Sequence, residues 1–418
     1  KIRARDLARQ LGYDLGQSAP ALGRGLNVSV EVGPHFIALH QLQRNGVEVF
    51  PATASFLEPH RISLAYPDRE RPQEVTADHV VIAVGTRVVR DAMYPFDGRF
   101  VVTSDEILDL PELPRTLTVV GAGVIGTEYA SIFAALGVRV NLVDKRSDVL
   151  DFIDGEIRDD FLHHLRQNGV TQRFGESVQG VSVGPDGVCV ALESGKRLHS
   201  DVLLYAGYRA GAVDRLNLEG TAVQVDSRGR IQVDENYRTD EPSVFAVGDV
   251  IGFPSLASTS MEQGRVAACN AFDVPVDSFA RLFPYGIYTI PEMSVVGRNE
   301  AELTRDGVCF EVGRARYREI ARGQILGDTS GLLKLLFEVD TRQLLGVAIM
   351  GTGASELIHI GQAVLANHGT LDYFINTVFN YPTLAECYKT AAFDGINRLP
   401  KVRPAVHSVA KDESEEAA

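Results

Sequence analysis

The chain has 418 residues, of which 45% are hydrophobic and 23% charged, an ordinary soluble composition with room for roughly two to four domains and a sizeable core. Its net charge of −14, with no basic cluster beyond local pairs, excludes nucleic acid and anionic membrane surfaces as partners. No apolar run approaches the roughly 18 residues of a membrane span, and no signal segment opens the chain, so the expected location is cytoplasmic.

In chain order, residues 3–17 read as a polar helix, and the first residue, Lys1, is not a natural start, so an incomplete first domain is expected. A second helix follows around Phe36 to Arg44, then short strands in 47–59 and 60–67, and a hydrophobic strand in DHVVIAVGTR that ends on the Gly85 turn. Pro111 and Pro114 mark a linker. Thr116 to Val120 reads as a buried strand, followed by a helix whose apolar face is Ile125, Tyr129, Ile132, Phe133 and Leu136, with Gly137 as its stop. Val138 to Val143 is the next strand, Gly155 to Asn168 a helix, Val178 to Leu198 a set of hairpin strands, and DVLLYAGYRAG a closing strand and turn. Val244 to Val247 is a buried strand with a Gly248-Asp249 turn and a long helix after Ser255. Strands and helices alternate from Phe283 to about Arg398, and an acidic tail, 401–418, is expected to be disordered. Cys189, Cys269, Cys309 and Cys387 are scattered without CxxC spacing, which fits reduced thiols and no metal site.

The segment TVVGAGVIGTEYASIFAALGVRVNLVDKR carries the chemistry. Gly121, Gly123 and Gly126 stand between a strand and a helix, where they allow a tight turn, close approach of backbone to a pyrophosphate, and close packing of helix on strand. The amides of Val124 and Ile125 then open a helix whose positive end faces that anion. Asp144 lies 23 residues after Gly121, where a carboxylate can accept hydrogen bonds from the ribose hydroxyls of NAD. Lys145 and Arg146 follow at once and supply the cations that the 2′-phosphate of NADP needs. The site is therefore open to either dinucleotide.

TVVGAGVIGTEYAS, VFAVGD, YTIPEMSVVG, LLGVAIMGTGASELIHIGQAV and FNYPTLAECYKTAA stand in the same order as in the flavoprotein disulfide-reductase (pyridine nucleotide-disulfide oxidoreductase) family. Over about Gly46 to Leu399 the chain resembles that family, and within it the soluble, FAD-containing pyridine nucleotide transhydrogenases. The resemblance implies an α/β fold of two Rossmann-like domains, the first N-terminally incomplete, with a C-terminal α+β domain that makes a homodimer. It divides the chain into FAD-binding segments 1–112 and 236–280, an NAD(P) domain 113–235, a dimerisation domain 281–400 and the tail. It further implies that Asp249, after Gly248, holds the ribityl and pyrophosphate region of FAD, that Leu256 and Ala257 lie against the isoalloxazine ring, and that Gly85 passes near the flavin. Glu128 is implied near the nicotinamide, with Gly207 and Arg209 in the loop closing the nucleotide site.

Where dithiol enzymes of the family carry a His oriented by a Glu, this chain has Tyr381, with Glu386 following. A phenol with a reference pKa of about 10 is a poor base for activating a thiol, whereas hydride transfer between nicotinamide and flavin needs stacked rings shielded from water. Tyr381 thus points to transhydrogenation, hydride moving from NADPH to NAD by way of FAD. Two rivals stay open: a dihydrolipoamide dehydrogenase-like dithiol oxidoreductase, and a non-catalytic dimeric nucleotide-binding protein. The departures from the family are the absence of a first glycine fingerprint for FAD, Ala52 and Ala54 near the flavin, Val84 before Gly85, and Tyr208 where relatives favour glycine. They leave the flavin cradle half present.

Overall fold

The computed structural model describes residues 34–276 and 282–399. The expected helix at 3–17 and the acidic tail lie outside them. Helix α1 (Pro34–Arg44) precedes an antiparallel meander of β1 (Thr53–Glu58), β2 (Arg61–Ala65) and β3 (Gln73–Thr76), then β4 (Val80–Ile82), β5 (Thr86–Val88) and β6 (Val101–Thr103).

The nucleotide unit follows as β7 (Thr116–Val120), α2 (Val124–Ala135), β8 (Arg139–Asp144), α3 (Gly155–Gln167) and β9 (Val170–Phe174). A side meander of β10 (Val178–Gly184), β11 (Gly187–Leu192) and β12 (Arg197–Ser200) leads into β13 (Val202–Tyr205) and β14 (Arg209–Gly211). The main sheet runs β6-β13-β7-β8-β9 with every pair parallel. Both faces of a parallel sheet are covered, and β13 accordingly reads as an unbroken apolar run, VLLY, buried throughout. Its edge strand β6 comes from upstream of the two linker prolines, and Val102, Ile107 and Leu110 belong to the same core.

Helix α2 starts where its sequence indicates, but of the expected apolar face only Phe133 is fully buried against the sheet. The buried positions are Gly126, Thr127, Ala130, Ser131, Phe133 and Ala134, while Ile125, Tyr129, Ile132 and Leu136 are only half-buried. Small residues win the contact because the Gly126 backbone lies against Gly121, a separation that larger side chains at this face would prevent. Ile125 is thereby left for the site.

After the nucleotide unit the chain returns to pair β15 (Val244–Ala246) in parallel with β4, then enters α4 (Ala257–Ala271). The last part comprises β16 (Tyr285–Ile287), β17 (Met293–Gly297), α5 (Glu300–Arg305), β18 (Phe310–Arg316), α6 (Ala321–Leu326), β19 (Leu332–Glu338), β20 (Leu344–Met350), α7 (Ala354–Ala366), α8 (Leu371–Asn376) and α9 (Glu386–Ile396). Its strands form an antiparallel sheet, β16-β17-β20-β19-β18, against which α7 and α9 bury Ile358, Val364, Tyr388 and Ala391.

Ties at α2 and at α3 join this last part to the nucleotide unit. At α2, the Tyr288 N–H donates to Glu128 Oε1 (2.8 Å) and the Ile290 N–H to Ser131 Oγ (3.1 Å). At the start of α3, fully buried Lys334 on β19 donates to Asp154 Oδ1 (2.8 Å) and to Glu300, and lies 3.3 Å from Glu156 Oε2. Asp154 also caps α3 by accepting from the Glu156 and Ile157 amides, and Arg314 Nε reaches Glu156 Oε2 at 2.7 Å. A buried ammonium is tolerable because these carboxylates surround it. Burial alone would lower its pKa, but Asp154 and Glu300 raise it above the ordinary lysine value.

Candidate active site

The glycine loop gives each glycine a separate task. Gly121 has φ of +105°, and a Cβ there would stand 2.5 Å from the Ala206 carbonyl oxygen. At Gly126 a Cβ would come within 1.7 Å of the Gly121 oxygen, so no side chain fits. Gly123, which ends the loop as the N-cap of α2, would meet nothing within 4 Å. The open space lies where a pyrophosphate would approach, at a helix end without a side-chain cap.

Asp144 sits at the end of β8, only 7% exposed, with both oxygens engaged. Its Oδ2 accepts from the Ala122 N–H (2.7 Å) and Arg146 Nη2 (2.9 Å), and its Oδ1 from the Arg146 N–H (2.8 Å) and Nε (3.0 Å). Burial pushes this carboxyl up, but the bonds from Arg146 and the Ala122 amide outweigh it and hold the group below the ordinary carboxylate range. The acid therefore ties the glycine loop to the strand end. Lys145 is exposed beside it.

A cavity of about 480 Å³ lies beyond the start of α2, and it brings most of the remaining candidates together. One wall carries Val124, Ile125 and Glu128 from α2, with Arg209 from β14. Facing them are Asp249, Leu256 and Ala257, at the return of the chain into α4. Arg209 is fixed by Thr86, through its Oγ1 (3.0 Å) and carbonyl oxygen (3.1 Å), and by Asp105 (3.0 Å). Gly85 and Gly248 take positive φ on either side of the β4 and β15 ends, and Gly207 leads into Tyr208, which lines the cavity beneath the Arg228 guanidinium. Burial pushes the Glu128 carboxyl up, partly opposed by the Tyr288 amide.

Residues that the sequence did not single out complete the cavity. Tyr285 and Tyr288 reach it from the antiparallel domain, Thr86 from β5, and Arg228 and Arg230 from the turn at Asp226. Their signal was weak because each lies far along the chain from the loop it faces. Tyr381 and Glu386 are not part of this cavity. Tyr381 is 74% exposed on the antiparallel domain, and Glu386 Oε2, at the start of α9, is shut from solvent without a hydrogen-bond partner among the described residues.

The residues present fit one flank of FAD. Among the described residues the Asp249 carboxylate has no hydrogen-bond partner, and it opens into the cavity next to an α4 N-terminus that no side chain caps. That pair suits the hydroxyls and ring edge of a flavin. All four cysteines are free, and no group of three or more His, Cys, Asp or Glu side chains among the described residues could hold a metal.

The comparisons with known proteins agree with this geometry. Residues 29–264 match the pyridine nucleotide-disulphide oxidoreductase family, and residues 283–392 match its dimerisation domain. The chain is 49% identical over 363 residues to the soluble pyridine nucleotide transhydrogenase of Mycobacterium tuberculosis (strain ATCC 25177 / H37Ra), covering 87% of this chain and 78% of that one. It is 47% identical over 359 residues to the enzyme of the same name from Pseudomonas aeruginosa (strain LESB58), covering 85% and 77%. Among solved structures, LpdA from Mycobacterium tuberculosis superposes with a TM-score of 0.83 at 25% identity, covering 93% of this chain and 86% of that one. The HOCl-induced flavoprotein disulfide reductase RclA from Escherichia coli gives 0.83 at 24% identity, covering 93% and 88%, a likeness of fold. With both its segments matched in order and its nucleotide loop intact, the chain belongs to the pyridine nucleotide-disulphide oxidoreductase family.

Proposed function

We propose that this protein is a cytoplasmic, homodimeric, FAD-dependent soluble transhydrogenase that takes hydride from NADPH and delivers it to NAD. The observation that carries the reading is the single cavity in which Glu128 and Ile125, from the nucleotide helix, face Asp249, Leu256 and Ala257. FAD, when bound, supplies a ring that accepts and returns a hydride.

The chain's own residues do the rest. The Gly121 to Gly126 loop and the α2 N-terminus hold the pyrophosphate of either dinucleotide, and Asp144, Lys145 and Arg146 meet the adenosine ribose. Ile125 and Glu128 flank the nicotinamide, and the tie from the Tyr288 amide to Glu128 keeps that wall in place. Asp249 and the first turn of α4 orient the flavin side, and Gly85 leaves the backbone close to it. Tyr208 and Tyr285, both half-buried, line the cavity beside these groups, with Tyr288 at its exposed edge. Net transfer between two nicotinamides releases no proton, so no side chain has to act as a base, in keeping with Tyr381 where dithiol chemistry would want an imidazole.

Hydride transfer from NADPH to the thionicotinamide analogue of NAD, followed by absorbance on FAD-loaded protein, tests the proposal. Steady formation of the reduced analogue is expected. Oxidation of dihydrolipoamide in its place would favour the dithiol reading.

A further inference from the structure

The resting position of Arg146 bears on how one site serves two dinucleotides, an inference that rests on the transhydrogenase reading. NAD and NADP differ only at the 2′ position, a neutral hydroxyl in one and a phosphate of about −1.5 to −2 charges in the other. Yet the acid at that position already has four donors, and two of them belong to the Arg146 side chain. The arginine side chain is 50% exposed and its partner 7%, so the guanidinium is the member free to turn. The other two donors, the Ala122 and Arg146 amides, are backbone and stay with Asp144 wherever the guanidinium goes.

We propose that Asp144 and the ligand's 2′-phosphate compete for the Arg146 guanidinium, and that this exchange balances the affinities of the two dinucleotides. With a 2′-phosphate bound, the guanidinium leaves Asp144 for the phosphate, and exposed Lys145 supplies the second cation. Without one it stays on Asp144, neutralising the carboxylate beside the ribose. Breaking the fork subtracts from the phosphate's binding free energy, as any pre-existing alternative to the bound arrangement does. A site that must release each product before taking the other substrate gains from that subtraction, because tight uniform binding does not speed turnover.

The test uses adenosine 2′,5′-bisphosphate and ADP as probes, with titration calorimetry on the full chain, so it needs neither flavin nor turnover. Asp144→Asn keeps an acceptor for the Ala122 amide but removes the charge that holds Arg146. It is expected to tighten the bisphosphate about tenfold while ADP does not tighten. Arg146→Ala, at an exposed side chain, is expected to weaken the bisphosphate about tenfold or more and to leave ADP within about twofold. Equal weakening of both probes by Asp144→Asn, or equal effects of Arg146→Ala on both, would overturn the exchange. If neither probe binds the unaltered protein, the nucleotide-site reading falls and the exchange with it. If the probe pattern holds but no hydride transfer is found, only the functional reading is lost.

Discussion

Replacing Lys334 by Met keeps most of the side-chain volume but removes the cation that three carboxylates share across the domain boundary. Its Nζ lies 2.8 Å from Asp154 Oδ1 and 3.3 Å from Glu156 Oε2, and it also binds Glu300. Breaking a buried ion pair from one side costs roughly 3–5 kcal/mol, because the partner charge is left without compensation. Two features place this site near the lower limit. Glu300 is 39% exposed and recovers solvation, and Glu156 keeps Arg314. Asp154, at 1% side-chain exposure, has neither recourse, and its Oδ2 already lacks a partner. A loss of about 3 kcal/mol is expected for Lys334→Met, and a much smaller loss for Lys334→Met with Asp154→Asn, whose amide oxygen still caps α3. Urea unfolding of the two single variants and the double variant gives the coupling directly, with hydrogen exchange at α3 and β19 to locate the change in a chain that need not unfold in one step. The pH dependence follows in sign. The folded pKa of Lys334 is raised above 10.5, so its contribution is fully present below that value and is lost as pH rises through the folded pKa. A single variant within about 1 kcal/mol of the parent, or a double variant no better than the single, would refute the reasoning.

Other outcomes are expected at the site. Gly123→Ala should leave stability within about 0.5 kcal/mol, since its Cβ meets no atom within 4 Å, yet abolish measurable NAD(P) binding by filling the pyrophosphate approach. Gly126→Ala should instead unfold or displace the loop, with a Cβ only 1.7 Å from the Gly121 oxygen, and thermal melts of the two variants would separate them. Glu128 is raised above its ordinary 4.5 by burial, so the native state holds its proton more tightly than the unfolded chain. Its effect on stability is therefore most favourable below 4.5 and declines as pH rises through the raised value. Glu128→Gln should flatten that decline, and identical pH profiles would contradict the assignment. Asp249→Ala should lower the fraction of protein that retains FAD, read as the flavin absorbance per polypeptide after gel filtration, with little change in NAD(P) affinity.

The nucleotide unit was legible because its signals are local. Three glycines, a helix start and an acid at a strand end lie within 24 residues, Gly121 to Asp144, and each constrains its neighbours directly. The face of α2 was read correctly at Phe133 and misplaced elsewhere for an equally local reason. Apolar spacing favoured Ile125, Tyr129 and Ile132, whereas the steric demand of Gly126 against Gly121 set the contact. Other features depend on partners far along the chain. Glu128 meets the Tyr288 amide 160 positions away, and Lys334 meets Asp154 180 positions away, pairings that no periodicity records. Edge strand β6, only three residues long, joined the nucleotide sheet from across a proline-marked linker for the same reason. The engagement of Asp144 by Arg146 was hidden in plain view, since a D-K-R triplet reads equally well as three ligands or as an acid with its own base.

The central claim is that one nucleotide site and one flavin site share the cavity between α2 and α4. Single-turnover reduction of FAD-loaded protein by NADPH, followed by addition of NAD, tests it most directly. Bleaching of the flavin band by NADPH and its full return with NAD, with one NADH formed per flavin and no thiol consumed or produced, is the predicted result. A band that NADPH cannot bleach, or that returns only when a disulfide is added, would contradict it.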